Sequence, residues 1–207
     1  MSQLIFKFPF KTKYYEQDFY VSSNNFSAYK LIENWPNWPS RWLNVYGVSG
    51  SGKTHLSKIL EKKIKKINIL DADKIDNNFS PNFDNCDCLI IDNYKNNIEQ
   101  KYLYSLLNNS KQLDKYILIN SLISIKEFEF QLTDLKSRID SFLFIGIDLP
   151  TDDLLKVIIS KSFSDRQVKL DPKVTNYIIK NVERSYDKMF AFLKDVDELS
   201  LSSGKIY

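Results

Sequence analysis

Two kinds of pattern alternate along the first three quarters of the chain. Short runs that are apolar almost throughout, "RWLNVYG" (41–47), "INIL" (67–70), "CLIID" (88–92), "YILIN" (116–120) and "FLFIGID" (142–148), are bounded by polar residues. Runs of this length without strict alternation predict parallel strands covered on both faces. Between them apolar residues return every three or four positions. In "KTHLSKILEKKIKK" (53–66) Leu56, Ile59, Leu60 and Ile64 share one helix face. Gln100–Leu107 reads as a second helix and "DLKSRI" (134–139) as the end of a short third. Strands alternating with helices predict an α/β fold, a parallel sheet with helices on both faces. Upstream, Asn25–Asn34 is expected to form a short helix, ended by the packed turn "NWPNWPS" (34–40). After Leu149-Pro150 the strand pattern stops. "TDDLLKVIISKSF", "DPKVTNYIIKNV" and "SYDKMFAFLKDVDEL" are three helical periods, with Thr151 and Asp171-Pro172 as starts. The expected organisation is an N-terminal arm over 1–20, an α/β domain over 21–149 and a small all-helical lobe over 150–207.

One segment carries chemistry at a fixed spacing. "GVSGSGKT", Gly47 to Thr54, satisfies G-x-x-x-x-G-K-[ST] and stands between a predicted strand and a predicted helix. Glycines at 47, 50 and 52 let the loop curl until backbone N–H groups point inward at phosphates, and the helix that follows adds its positive end. Gly47, Gly50, Ser51, Gly52, Lys53 and Thr54 are therefore candidate nucleotide-binding residues. Lys53 is the group for the terminal phosphates, and Thr54 offers a hydroxyl to Mg²⁺. Asp92, at the tip of "LIID", is the carboxylate expected to help hold that ion. Asn120 closes the next strand as a candidate contact to the terminal phosphate or its water. Beside Asp92, where a hydrolytic site wants a second acid, stands Asn93, which cannot take a proton from water. The expectation is a site that holds nucleotide and turns it over poorly. His55 lies inside the helix as a packing residue.

Composition narrows the remaining classes. Lys+Arg 29 against Asp+Glu 26 leaves a net charge of +3, too small to argue for nucleic acid or a membrane surface. Cys86 and Cys88 have one histidine in the whole chain for company, which excludes a zinc site and favours reduced thiols. No run approaches the roughly 18 apolar residues of a membrane span, and the N-terminus has no leader pattern, so a cytoplasmic protein is expected. Arg138 has two readings. It stands one helical turn after Asp134, as in a surface i,i+4 pair; it is also placed to serve as an arginine finger for a nucleotide on a neighbouring molecule.

These motifs together resemble the AAA+ superfamily, and more closely the Hda-type regulators of the replication initiator DnaA in their alphaproteobacterial form. "QDFYVSSNN", "WPNWPS", "GVSGSGKTHL", "IIDN", "DLKSR", "SFSDRQVKLDP" and "NVERSY" follow in the order of that group and cover nearly the whole chain. The resemblance implies ADP or ATP with Mg²⁺ as cofactors, and DnaA and the DNA polymerase III sliding clamp as partners. The near-neutral charge leads to the expectation that DNA is met only indirectly, and a homo-oligomer stays open beside a single chain. Gln3, Leu4, Phe6 and Phe8 of "QLIFKF" match the clamp-binding peptide of that group, and Arg138 its finger acting on the ATP of DnaA. Two features depart from the group. "SLISI" replaces a polar turn after "ILIN", and Asp187 stands where a sensor arginine is expected, with Arg184 and Lys188 nearby; Arg184 is taken as the candidate nucleotide-binding cation. No room is expected for a helix-turn-helix domain before Tyr207. The alternatives are a DnaA-like adaptor or helicase loader, and a self-sufficient P-loop NTPase.

Overall fold

A computed structural model of the chain describes residues 19–76, 83–165, 168 and 170–203. The proposed clamp peptide, Gln3 to Phe8, and nearly all of the arm lie outside the described residues. Five strands follow one another through the first part: β1 Trp42–Gly47, β2 Ile67–Asp71, β3 Cys88–Tyr94, β4 Tyr116–Ser121 and β5 Leu143–Ile147. They form one sheet in the order β2-β3-β4-β1-β5, and every neighbouring pair is parallel. Helix α1 Phe26–Glu33 precedes β1, and α2 Lys53–Lys63, α3 Gln100–Gln112 and α4 Thr133–Ile139 follow β1, β3 and β4, while short 3-10 turns join β2 to β3. The expected α/β class is the one observed.

The strands are mostly apolar because each face of the sheet has its own helices. Leu89, Ile91, Ile117 and Ile119 point to one side, where Leu103, Leu106 and Leu107 of α3 and Leu135 and Ile139 of α4 meet them. Cys88, Ile90 and Leu118, with Leu43 and Val45 of β1, point to the other. There they pack on Ala28 and Ile32 of α1 and Leu56, Ile59 and Leu60 of α2. Successive strand side chains alternate faces, so covering both favours apolar residues, and a polar one such as Asn44 is buried only with hydrogen-bond partners. Each buried Leu or Ile contributes about 1.5–3 kcal/mol relative to exposure.

The sequence placed most of these elements, with local corrections. Helix α3 runs on to Gln112, beyond the apolar period that ends at Leu107. Ser110 explains the extension: it is fully buried, donates to Leu107 O at 2.8 Å and accepts from Trp42 Nε1 at 3.1 Å. A serine on a core-facing position hides the helical period from a hydrophobicity reading. Ile64 is buried as expected but stands just past α2, in extended conformation.

Three further helices follow the sheet: α5 Asp152–Ser164, α6 Pro172–Asn181 and α7 Tyr186–Ser203. Thr151 and Asp171 accept from backbone N–H groups in the first turns of α5 and α6, as the capping signals predicted. The helices close round Leu155, Ile159, Phe163, Ile178, Met189 and Leu193. Among the described residues no helix is long and apolar enough to cross a membrane, and no group of three His, Cys, Asp or Glu could hold a metal.

Candidate functional site

Parallel strands place all their C-terminal ends on one edge of the sheet, and the candidate residues gather there. The Gly47–Thr54 loop leaves β1 and enters α2. Gly50 and Gly52 take φ +76° and +98°, a region glycine enters without the steric cost other residues meet. A Cβ on Gly52 would lie 2.9 Å from Phe19 Cε2 and one on Gly50 2.7 Å from Tyr186 Cβ, so both glycines also answer to close neighbours. Ser51, within the loop, is buried.

Lys53 turns its ammonium into this curl, donating to Gly47 O at 2.6 Å, Val48 O at 3.0 Å and Ser51 Oγ at 3.4 Å. Burial lowers its pKa below the ordinary lysine value, while the charges of Asp92 and Asp187 act in the opposite direction. The Thr54 hydroxyl donates to Asp92 Oδ2 at 2.9 Å. The other carboxylate oxygen of Asp92 accepts from Asn120 Nδ2 at 3.0 Å and from the Asn93 N–H at 3.1 Å. Asn120 is fully buried and donates to Ser57 Oγ of α2 as well, at 2.8 Å. The structure thus brings Lys53, Thr54, Asp92 and Asn120 into one connected set. A hydroxyl beside a carboxylate is the hard-oxygen pair Mg²⁺ prefers, and a glycine curl with an ammonium inside suits phosphate. The residues present fit a Mg–nucleotide.

Asn93 faces away from this set. Its backbone is left-handed, φ +59°, and its Nδ2 donates to Asp71 Oδ2 at 2.7 Å. Asp71 ends β2 directly opposite Asp92 in the sheet register, a neighbour that sequence reading did not single out. Asn44 was also missed. Fully buried in β1, it donates to Ile119 O and Ser121 Oγ at 2.9 Å each and accepts from the Ile125 N–H, tying β1 to the turn after β4. A lone asparagine in an apolar run was the available signal.

Two predicted residues stand apart from the loop. Arg184 is exposed and pairs with Asp152 at 2.6 Å. In its place the start of α7 reaches the loop, with Tyr186 and Asp187 against Gly50. Arg138 lies in the last turn of α4, shortly before β5 begins at Leu143, and Leu143 is paired with Leu43 at the start of β1. It therefore lies towards the strand starts, while the loop follows the strand ends. Its Nε donates to Asn108 Oδ1 of α3 at 2.8 Å, and among the described residues it makes no ion pair with Asp134.

No family model matches the chain. In sequence it is similar to chromosomal replication initiator protein DnaA. It is 28% identical to that of Chlorobaculum tepidum over 162 residues, covering 68% of this chain and 33% of that protein. Against DnaA of Buchnera aphidicola subsp. Baizongia pistaciae it is also 28% identical, over 100% of this chain and 51% of that one. The chain thus spans between a third and a half of these relatives. In structure it is similar to domain III of DnaA from Thermotoga maritima, with TM-score 0.77, 20% identity and coverage of 97% of this chain and 94% of that one. It is also similar to AMPPCP-bound DnaA from Aquifex aeolicus, with TM-score 0.71, 20% identity and coverage of 90% and 65%. The parallel sheet and its helices have the AAA+ fold of the DnaA module, and the sequence is DnaA-like.

Proposed function

We propose that this chain is an AAA+ regulator of replication initiation of the Hda type. It holds ADP or ATP with Mg²⁺ and acts mainly on the ATP of the initiator DnaA. The observation that supports this reading is the separation of the phosphate loop and Arg138 along the sheet. At the strand ends lies a phosphate loop whose Asp92 is followed by an amide, itself bonded to Asp71. Towards the strand starts lies Arg138, too far from its own loop to serve it. Six residues of β1 separate those levels, about 17 Å of extended chain. An arginine in that position meets a nucleotide only when the nucleotide belongs to another molecule.

Within the site, Lys53 and the loop N–H groups bind and orient the phosphates, and Thr54 and Asp92 hold Mg²⁺, which neutralises phosphate charge when bound. Asn120 keeps Asp92 oriented. Asn93 offers no base, so a water beside the terminal phosphate keeps its proton. Across the interface, Arg138 supplies positive charge to the phosphoryl oxygens of the partner's ATP as charge builds on them. Gln3, Leu4, Phe6 and Phe8 dock the chain on the sliding clamp as an extended peptide in an apolar groove.

The deciding experiment measures hydrolysis of DnaA-bound ATP with clamp loaded on DNA. Wild-type chain is expected to accelerate it, and Arg138→Ala to lose at least about a hundredfold of the acceleration, given what arginine fingers contribute. Equal stimulation by both proteins would overturn the finger. Rapid ATP turnover by the isolated chain would instead favour a self-sufficient NTPase.

A further inference from the structure

The aromatic turn between α1 and β1, which the nucleotide site leaves unused, ends beside the helix that carries Arg138. The turn is firmly built. Trp35 meets Tyr116 and Trp38 edge to face, with ring centroids 4.3 and 5.1 Å apart, and Trp38 meets Tyr116 in the same way at 5.7 Å. Trp38 Nε1 donates to Leu31 O at 2.7 Å, and the Tyr116 hydroxyl donates to Pro36 O at 3.1 Å. Ser40, at the end of the turn, faces two ways. Its hydroxyl accepts from the Trp42 N–H at 3.2 Å and donates to Ser141 O at 3.1 Å. Ser141 in turn closes the end of α4. Its N–H donates to Arg138 O at 3.1 Å and its hydroxyl to Ser137 O at 3.2 Å. The side chain of Arg138 is held separately, by Asn108 of α3. Helix α3 is itself tied to the start of β1, since Trp42 donates to Ser110 and packs on Phe142 with 5.4 Å between ring centroids. Backbone and side chain of Arg138 thus both trace back to Ser40 and Trp42, far from it in sequence.

We infer that Ser40 is a positioning residue for Arg138: through Ser141 it fixes the end of α4, and with it the direction in which the guanidinium leaves the molecule. This rests on the finger reading above and adds a residue that aims the finger. Of the two braces, Trp42 also fills the core, so its loss would disturb the fold at large. Ser40 is half-buried and its bond to Ser141 is exposed, so its hydroxyl can be removed without opening a cavity. The magnitude follows from how sharply a reaction depends on placement. A misplacement of about 1 Å costs about a hundredfold in rate, and loosening one of two supports costs part of that.

The test titrates the full chain into ATP-loaded DnaA with clamp loaded on DNA, for wild type, Ser40→Ala, Ser40→Thr and Arg138→Ala. It reads the maximal rate of hydrolysis separately from the chain concentration that gives half of it. Ser40→Ala is expected to lower the maximal rate about three- to tenfold and to leave the half-saturating concentration unchanged. Ser40→Thr keeps the hydroxyl and should restore the wild-type rate. A maximal rate in Ser40→Ala indistinguishable from wild type overturns the assignment and leaves the finger standing. So does a loss confined to the half-saturating concentration, or one that Ser40→Thr shares in full, because either follows from a disturbed contact surface. Arg138→Ala as active as wild type overturns the finger and this assignment with it.

Discussion

Inside β3, where the register with β4 shifts between Ile91 and Tyr94, Asn93 takes a left-handed conformation that few residues other than glycine accept as readily as asparagine. The amide then closes on Asp71, so one residue both turns the backbone and ties β3 to the end of β2. A glutamate at this position would meet two costs, a strained φ and a second carboxylate beside Asp71. The tie is visible from the other partner. Asp71 has its pKa held below the ordinary 3.8, first by the Asn93 hydrogen bond and then by the Asp73 N–H. A carboxylate with a depressed folded-state pKa contributes stability that is fully present above its unfolded pKa, near 3.8, and is lost as pH falls through the folded value. Asn93→Ala is therefore expected to raise the Asp71 midpoint toward 3.8, followed by carboxyl carbon shifts in an NMR titration. An unmoved midpoint would mean the Asp73 N–H carries the shift.

At the scale of elements, α4 is short, and its hold on the fold is Leu135 and Ile139, both buried against the face that α3 shares. Arg138 between them is positioned by Asn108 across the α3–α4 contact. Asn108→Ala is expected to cost about 0.5–1.5 kcal/mol of stability, the net contribution of one such hydrogen bond. Its larger expected effect is reduced stimulation of DnaA ATP hydrolysis, because the guanidinium loses its fixed direction. Parallel melts and hydrolysis assays check this, and full stimulation by the variant would show that Asn108 does not aim the arginine. This pairing marks where sequence reading ends. The strands, the phosphate loop and the cap residues Thr151 and Asp171 were legible because each is written in a local period or spacing. Asn108 and Arg138, Asn93 and Asp71, and Asn24 and Tyr186 are pairs distant in sequence, and polar side chains alone do not announce which partner the fold will supply. For Arg138 the local partner at i−4 was an available reading, and the packing of α3 on α4 supplied Asn108 instead.

Over the whole molecule, the loop sits at a seam. Below it lie the two cores on either side of the sheet; above it stands the start of α7, which belongs to the third core. A nucleotide held as proposed would touch the sheet's loop and lie close to the start of α7, and the unfolded chain would offer no such place. Ligand that binds only the native state stabilises it by mass action, about 2.7 kcal/mol at a hundred times the dissociation constant. For a chain of this size each kcal/mol raises the melting temperature by about 2–4 °C, so saturating Mg·ADP should raise it by about 5–10 °C. Lys53→Ala should abolish the rise, since it removes the charge that meets the phosphates. Gly50→Ala is the sharper variant. It keeps every polar group of the site, but its methyl would press on Tyr186 at φ +76° and push α7 off the loop. Its apo protein should melt lower than wild type and gain less from Mg·ADP. A Gly50→Ala protein with the full wild-type gain would show that the nucleotide is held by the sheet side alone, with α7 a bystander.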